Sequence, residues 1–197
     1  MLKYYAVYKP FQMLCQFSTE GEKKTLADLD FQFQKDIYPV GRLDFDSEGL
    51  LILTNDKKLN HALLNPLQKH EREYWVQVEG LPDKAFIHKI ENGVGINVDG
   101  KMYKTLHCKC KLLDENEVQK IPPRNPPIRF RKNVADTWIS LILYEGKNRQ
   151  VRKMTAACDF PTLRLIRVRI EKLEFPELIP NEIVEFEQKD FLQLLHL

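Results

Sequence analysis

The run Leu50-Leu51-Ile52-Leu53, closed by Thr54, is apolar without alternation, which predicts a strand buried on both faces. Upstream, Lys3 to Tyr8 is aromatic and β-branched enough for a strand, and Pro10 ends it. Thr25 to Leu29 predicts a short helix, and Ile37 to Val40 a strand that enters a turn at Gly41. After the apolar run, Asn55-Asp56 predicts the cap of a helix over Lys57 to Leu64, with Pro66 just beyond its end. Tyr74 to Glu79 predicts a strand closed by Gly80, and Pro82-Asp83 starts a helix through Ile90. Thr105 to Leu112 alternates as a strand should, and Trp138 to Tyr144 predicts another. Asn148 can cap a helix reaching about Ala157. Leu163 to Ile170 alternates Arg with Leu, Ile or Val, and predicts a strand. A strand over Ile183 to Phe186 and a helix over Lys189 to Leu195 complete the pattern. Helices and strands are interspersed without regular alternation, which predicts an α+β fold on a mixed, mostly antiparallel sheet.

One segment breaks this order. Lys120 to Lys132 holds four prolines, five basic residues and no acid. Proline excludes helix and central strand, so the segment should be an extended, stiff, basic loop.

The chain has 197 residues, 43% of them hydrophobic, which suits one large domain or two subdomains. No apolar stretch approaches the ~20 residues of a membrane span. Met1-Leu2-Lys3 leads directly into a strand, with no sign of a signal peptide. The four cysteines are sparse and irregularly spaced, as reduced thiols of a cytoplasmic protein would be. The net charge of +2 conceals an asymmetry: Lys120 to Lys172 contains 13 basic and 4 acidic residues, a net of +9, which leaves −7 for the rest. That distribution suits a polyanion-binding face on an acidic body, although a basic surface can also be merely solvated.

Three places could carry chemistry. Gly41-Arg42-Leu43-Asp44 puts an acid and a base on a tight loop between two strands. Loops held by a rigid sheet often carry active sites, but an aspartate on a turn is more often a turn former. Glu145-Gly146-Lys147-Asn148-Arg149-Gln150-Val151-Arg152-Lys153-Met154 places Arg149, Arg152 and Lys153 on a common side at helical spacing. The first turn of that helix also offers backbone N–H groups to a phosphate. Val151 and Met154 fit equally a helix that packs through its apolar face. Finally, an aromatic from the Arg72-Glu73-Tyr74-Trp75 strand could stack on a base, although strand aromatics are more often core. Other chemistries fit poorly. Cys108 and Cys110 are too close for a zinc pair of Cys-x₂-Cys type, and neither a nucleophile elbow nor a dinucleotide glycine pattern is present. Neither a metal nor a cofactor is expected.

In combination the motifs resemble the pseudouridine synthases. Gly41-Arg42-Leu43-Asp44 with Asp46-Ser47-Glu48-Gly49-Leu50-Leu51 is similar to the central motif of the branch that modifies ribosomal RNA from single polypeptides. The segment Glu145 to Met154 is similar to its second signature, and Thr162 to Ile170 to its third. The resemblance runs from about Leu2 to Phe186. Arg124-Asn125-Pro126-Pro127-Ile128-Arg129, followed by Arg131-Lys132, is similar to the E-type subgroup acting on large-subunit (23S) ribosomal RNA. Phe45 stands where that branch often has Arg, and Glu171 and Asn181 stand where it commonly has Gly.

The resemblance implies a catalytic domain over residues 1–197, in two helix-flanked subdomains meeting at a catalytic cleft, without the small N-terminal RNA-binding domain. It implies an isomerase that breaks the uracil N1–ribose C1′ bond and rejoins the base through C5, without cofactor. Asp44 is the implied reacting carboxylate, and Arg152 the basic partner that keeps it ionised. Tyr74 is the implied aromatic stacking on the uracil, Arg42 the group that enters the space the flipped base leaves, and Val151 part of the pocket floor. Arg124, Arg129, Arg131, Lys147, Arg149, Lys153 and Arg164 are then candidate phosphate contacts, with Arg167 and Arg169 free to pair structurally. The implied partner is ribosomal RNA, and a cytoplasmic monomer without membrane association is the default. Two rivals stand beside this reading. One is a catalytically idle RNA-binding or ribosome-assembly factor on the same fold. The other is a glycosidase, which lacks a second acid in a matching motif.

Overall fold

The computed structural model describes residues 1–128 and 134–197. The chain forms two compact units, the first comprising Met1–His70 and Arg167–Leu197 and the second Glu71–Ile166. The first unit opens with β1 (Tyr4–Lys9), β2 (Met13–Leu14), β3 (Lys24–Thr25), β4 (Tyr38–Val40), β5 (Glu48–Thr54) and α1 (Lys57–Leu64). The second comprises β6 (Arg72–Glu79), α2 (Lys84–Glu91), β7 (Gly95–Val98), β8 (Lys101–Lys104), β9 (Lys109–Leu112), α3 (Glu115–Gln119), β10 (Asp136–Leu143) and α4 (Gln150–Ala156). Strand β11 (Thr162–Ile170) carries the chain back, and β12 (Leu173–Glu174), β13 (Ile183–Phe186) and α5 (Gln188–Leu194) complete the first unit. The fold is α+β with a mostly antiparallel sheet, as the sequence pattern predicts.

In the first unit β1 is central. It pairs antiparallel with β5, Lys9 opposite Gly49, and on its other edge with β13, Tyr4 opposite Phe186. β4 pairs antiparallel with β5, Val40 opposite Ile52. Every residue of β1 and β5 is buried, which agrees with the continuous apolar run around Leu50. The Asp56 carboxylate caps α1 by accepting the Lys58 N–H at 2.9 Å, and it also accepts the Tyr4 hydroxyl at 2.8 Å. A helix start is thereby fastened to the central strand.

Gly49 shows how tightly β5 is covered. Its φ is +101°, and a Cβ there would stand 2.2 Å from the Arg167 carbonyl oxygen of β11. Only glycine permits that approach. The Arg167 side chain adds a second tie, its Nε donating to the Leu50 carbonyl at 2.7 Å. Glu171 and Asn181, the two positions where glycine is usual in the resembling family, have φ of +51° and +69°. Asparagine tolerates this region; glutamate does so at a cost. The Glu171 carboxylate is anchored to His70 at 2.9 Å and to His196 at 3.2 Å, which fixes the turn that the backbone strains.

In the second unit β10 pairs antiparallel with β6 and with β9, and β7 pairs with β8. Val76, Val78, Phe86, Ile90, Ile139, Leu141, Val151 and Met154 belong to one buried cluster that unites the strands with α2 and α4.

Three departures from the sequence pattern stand out in the second unit. Only Lys109–Leu112 of the segment 105–112 is strand. The preceding backbone bonds elsewhere, the Thr105 N–H to Val94 O, Cys108 N–H to Glu91 O and Leu106 N–H to the Glu145 side chain. Helix α3 is an addition to the predicted elements. It buries no residue, so no apolar periodicity announces it, but Asp114 and Glu117 form a capping box that was legible. Asn148 does not cap α4: Arg149 occupies that position, left-handed at φ 51° and ψ 34°, without a side-chain cap bond.

Gly49→Ala is expected to destabilise the protein by more than ~2 kcal/mol, since both the backbone angle and the space forbid a methyl group. Urea denaturation measures this, and a loss below ~0.5 kcal/mol would mean the two strands separate easily.

Candidate active site

The loop Gly41 to Ser47 joins β4 to β5 in the first unit. Gly41 turns the chain at φ +70°, with Leu64 of α1 packed 3.1 Å from where its Cβ would be. Leu43 is the buried anchor of the loop. Its N–H donates to the Cys15 Sγ at 3.2 Å, and that thiol donates to the Leu43 carbonyl at 3.3 Å. Gln12 N–H holds the Phe45 carbonyl at 2.9 Å, and Ser47 N–H closes a turn on the Asp44 carbonyl at 3.0 Å. These bonds fix the backbone on both sides of Asp44. Asp44 itself is half-buried and Arg42 is exposed.

Lys9, which the sequence pattern leaves as an ordinary strand end, is fully buried. Its Nζ donates to the Pro10 carbonyl at 2.9 Å and the Met13 carbonyl at 2.8 Å. Burial pulls its ammonium down to about 8, against the opposing pull of Cys15, Glu48, Asp46 and Asp44. Burial likewise pushes the Cys15 thiol up, which keeps it a hydrogen-bond donor to Leu43. The signal for Lys9 was a lysine closing a strand with no other charged residue, Tyr4 to Lys9.

In the second unit Tyr74 lies on β6 opposite Leu141, on the same face as buried Val76 and Val78. It is half-buried against the cluster that contains Val151 and Met154. The structure therefore brings Tyr74 and Val151 to one hydrophobic body, with Arg152 and Lys153 half-buried on the same helix. An Arg152 Nη1 lies 3.5 Å from the Thr162 carbonyl. Lys147 and Arg149 are exposed in the turn before α4. Arg149 precedes the helix, so it does not share a helical face with Arg152 and Lys153. The turn's backbone is also partly satisfied from within, since Lys147 N–H donates to the Gln150 Oε1 at 2.9 Å.

Arg124 is half-buried, its Nε donating to the Pro126 carbonyl at 2.8 Å. Arg164 departs from expectation. It is buried, donates to the Pro122 carbonyl at 2.7 Å and lies 5.9 Å from the Trp138 ring centroid. Its guanidinium thus binds the proline-rich segment to the strands, a cation–π and hydrogen-bonding role in place of a surface phosphate contact. Arg169 donates to the Glu171 backbone carbonyl. Arg129 and Arg131 lie outside the described residues.

All four cysteines are free and buried. Burial pushes the Cys108 thiol up to about 12, and Cys110 higher still, so both are inert apolar fillers of the second core. Among the described residues no group of three or more His, Cys, Asp or Glu could hold a metal ion, and no helix is long and apolar enough to cross a membrane.

Residues 3–157 match the RNA pseudouridylate synthase family, and the chain belongs to it: an isomerase family that acts on RNA. Within the family, it is 45% identical over 174 residues to the ribosomal large subunit pseudouridine synthase E of Xanthomonas axonopodis pv. citri, covering 87% of each chain. It is 42% identical over 179 residues to the protein of the same name from Vibrio parahaemolyticus, covering 91% of this chain and 71% of that one. A crystal structure of a pseudouridylate synthase superposes with a TM-score of 0.78 over 98% of this chain and 74% of the other, at 22% identity, which shows the shared fold.

Lys9 titrates near 8 in the folded chain and near 10.5 when unfolded. Between those values the unfolded state holds more protons, so stability due to this residue rises with pH across the window. Relative to Lys9→Met, the wild type should gain on the order of 3 kcal/mol from below pH 8 to above pH 10.5. Denaturation curves of both proteins across that range test this; parallel pH dependences would refute the burial penalty.

Proposed function

We propose that this chain converts a specific uridine of large-subunit (23S) ribosomal RNA to pseudouridine. The observation that carries the reading is the 42–45% identity to two synthases named for the large ribosomal subunit, extending over 87–91% of this chain. The basic segment Lys120 to Lys172 supplies the polyanion-binding charge such a substrate requires.

The target uridine is stacked in RNA and has to be turned out, at a cost of a few kcal/mol. Arg42, exposed on its loop, enters the vacated space. Tyr74 stacks on the uracil, and Val151 forms part of the pocket floor. Asp44 is the reacting group, acting on the ribose either by attack at C1′ or by removal of a sugar proton. Both routes need an ionised carboxylate, which Arg152 stabilises as counter-charge. The fixed backbone around Asp44 suits this work, because a nucleophile or base that need not reorganise loses less on reaching the transition state. The base leaves through N1, turns and rejoins through C5; the proton that C5 loses is matched by the one that N1 gains, so atoms balance without an added reagent.

Arg124, Arg129, Arg131, Lys147, Arg149 and Lys153 bind phosphates. Each such contact contributes to affinity in a salt-dependent manner. The protein works as a monomer in the cytoplasm on RNA or on assembling ribosomal particles.

Tritium release from RNA labelled at uridine C5 tests the chemistry. Asp44→Asn should lower the release rate on the order of 10⁴-fold or more, with RNA binding retained. Full activity in the variant would overturn the assignment of Asp44. No release by the wild type from ribosomal RNA or precursor particles would favour a binding factor instead. Arg129→Ala should reduce the salt slope of RNA binding by about one; an unchanged slope would remove that residue from the interface.

A further inference from the structure

Glu145 follows β10 at the start of a basic, exposed turn, yet it is 7% exposed. Its carboxylate collects three donors from three places in the second unit. Tyr103 of β8 donates its hydroxyl to Oε2 at 2.6 Å. The Leu106 N–H donates to Oε1 at 2.8 Å, and the Gln150 side-chain Nε2 donates to the same oxygen at 2.8 Å. Gln150 then accepts the Lys147 N–H on its own Oε1 at 2.9 Å. Its two partners fix the amide's orientation, since a carboxylate can only accept and an N–H can only donate.

Both routes from Glu145 end on Lys147. Gln150 holds the lysine's backbone. Tyr103 holds its side chain, with the ammonium 4.9 Å from the ring centroid. The hydrogen bond to Glu145, aided by burial, pushes the Tyr103 phenol up to about 12, so the hydroxyl keeps its proton and its grip at any ordinary pH. A free lysine has to surrender considerable rotamer freedom when it binds a phosphate. A lysine already seated on a pinned ring surrenders less.

We propose that Glu145 is a positioning residue for RNA binding, which through Tyr103 and Gln150 holds Lys147 as a preformed phosphate-binding cation. This role rests on the reading of the chain as an enzyme acting on RNA. It extends the binding surface from the turn before α4 onto the β7–β8 hairpin, whose Lys101, Met102 and Lys104 are exposed.

Salt-dependent binding of ribosomal RNA tests it. Lys147→Ala, Glu145→Gln and Tyr103→Leu should each lower the magnitude of the salt slope by about one, the loss of one phosphate contact. The double variant Glu145→Gln with Lys147→Ala should lose no more than Lys147→Ala alone. A residue that only maintained the fold would lower the melting temperature while leaving the slope intact, and its loss would add to that of Lys147→Ala. Either result, an unchanged slope in Glu145→Gln or additive losses, overturns the role. Tyr103→Leu keeps the test intact if Glu145→Gln does not fold, because it removes the ring and leaves the acid in place. A wild type that neither binds RNA nor releases tritium would refute the functional reading itself. An active wild type with unchanged slopes in the variants would refute only the role of Glu145.

Discussion

The backbone of Arg167 occupies the space where any side chain at position 49 would stand. Much of the first unit depends on that contact. It lets β5 lie against β11 without a gap, and β5 in turn carries β1 on one side and β4 on the other. The loop bearing Asp44 hangs from the ends of β4 and β5. A chain segment held at both ends by paired strands, one of them fully buried, has little freedom, and the Cys15–Leu43 and Gln12–Phe45 bonds remove more of what remains. The rigidity around the carboxylate is thus a consequence of strand packing.

In the same unit the protein tolerates an expensive group. Lys9 is fully buried, donates to two carbonyls and has its ammonium pulled down to about 8. A buried cation is usually a liability unless it organises what surrounds it. Here it gathers the carbonyls of Pro10 and Met13, which fixes the chain leading to Gln12 and Cys15, the two residues that grip the loop. The second unit uses the opposite charge in a similar way. Glu145 is a buried acid that organises an exposed basic turn. In both places one ionisable side chain arranges several polar groups that no hydrophobic contact could orient.

The long elements were readable because burial imposes periodicity. β5, α1 and the strand containing Tyr74 follow directly from apolar runs, a capping aspartate and flanking turn residues. Where burial is absent, periodicity says nothing, and α3 shows only through its capping box. The segment 105–108 misleads for the converse reason: it alternates, but its N–H groups go to a helix end, a loop and a side chain instead of a neighbouring strand. The site residues divide similarly. The motif around Asp44 and the signature around Arg152 are local in sequence and were legible. The roles of Lys9 and Cys15 were not, because each depends on which carbonyl or amide arrives from elsewhere in the chain.

Charge shows the same division. Thirteen basic residues between Lys120 and Lys172 are a property of the sequence, and they point to a polyanion whatever the fold. Which of them face solvent is not. Arg164 and Arg167 are buried and serve carbonyls of Pro122 and Leu50, while Lys147 and Arg149 stay exposed. By itself the sequence determined the family and the α+β class, because those are written in contiguous motifs and in local hydrophobic pattern. The tertiary structure alone decided which arginines are structural, why position 49 must be glycine, and how Lys9 and Glu145 act, because hydrogen bonds and desolvation depend on groups that only folding brings together.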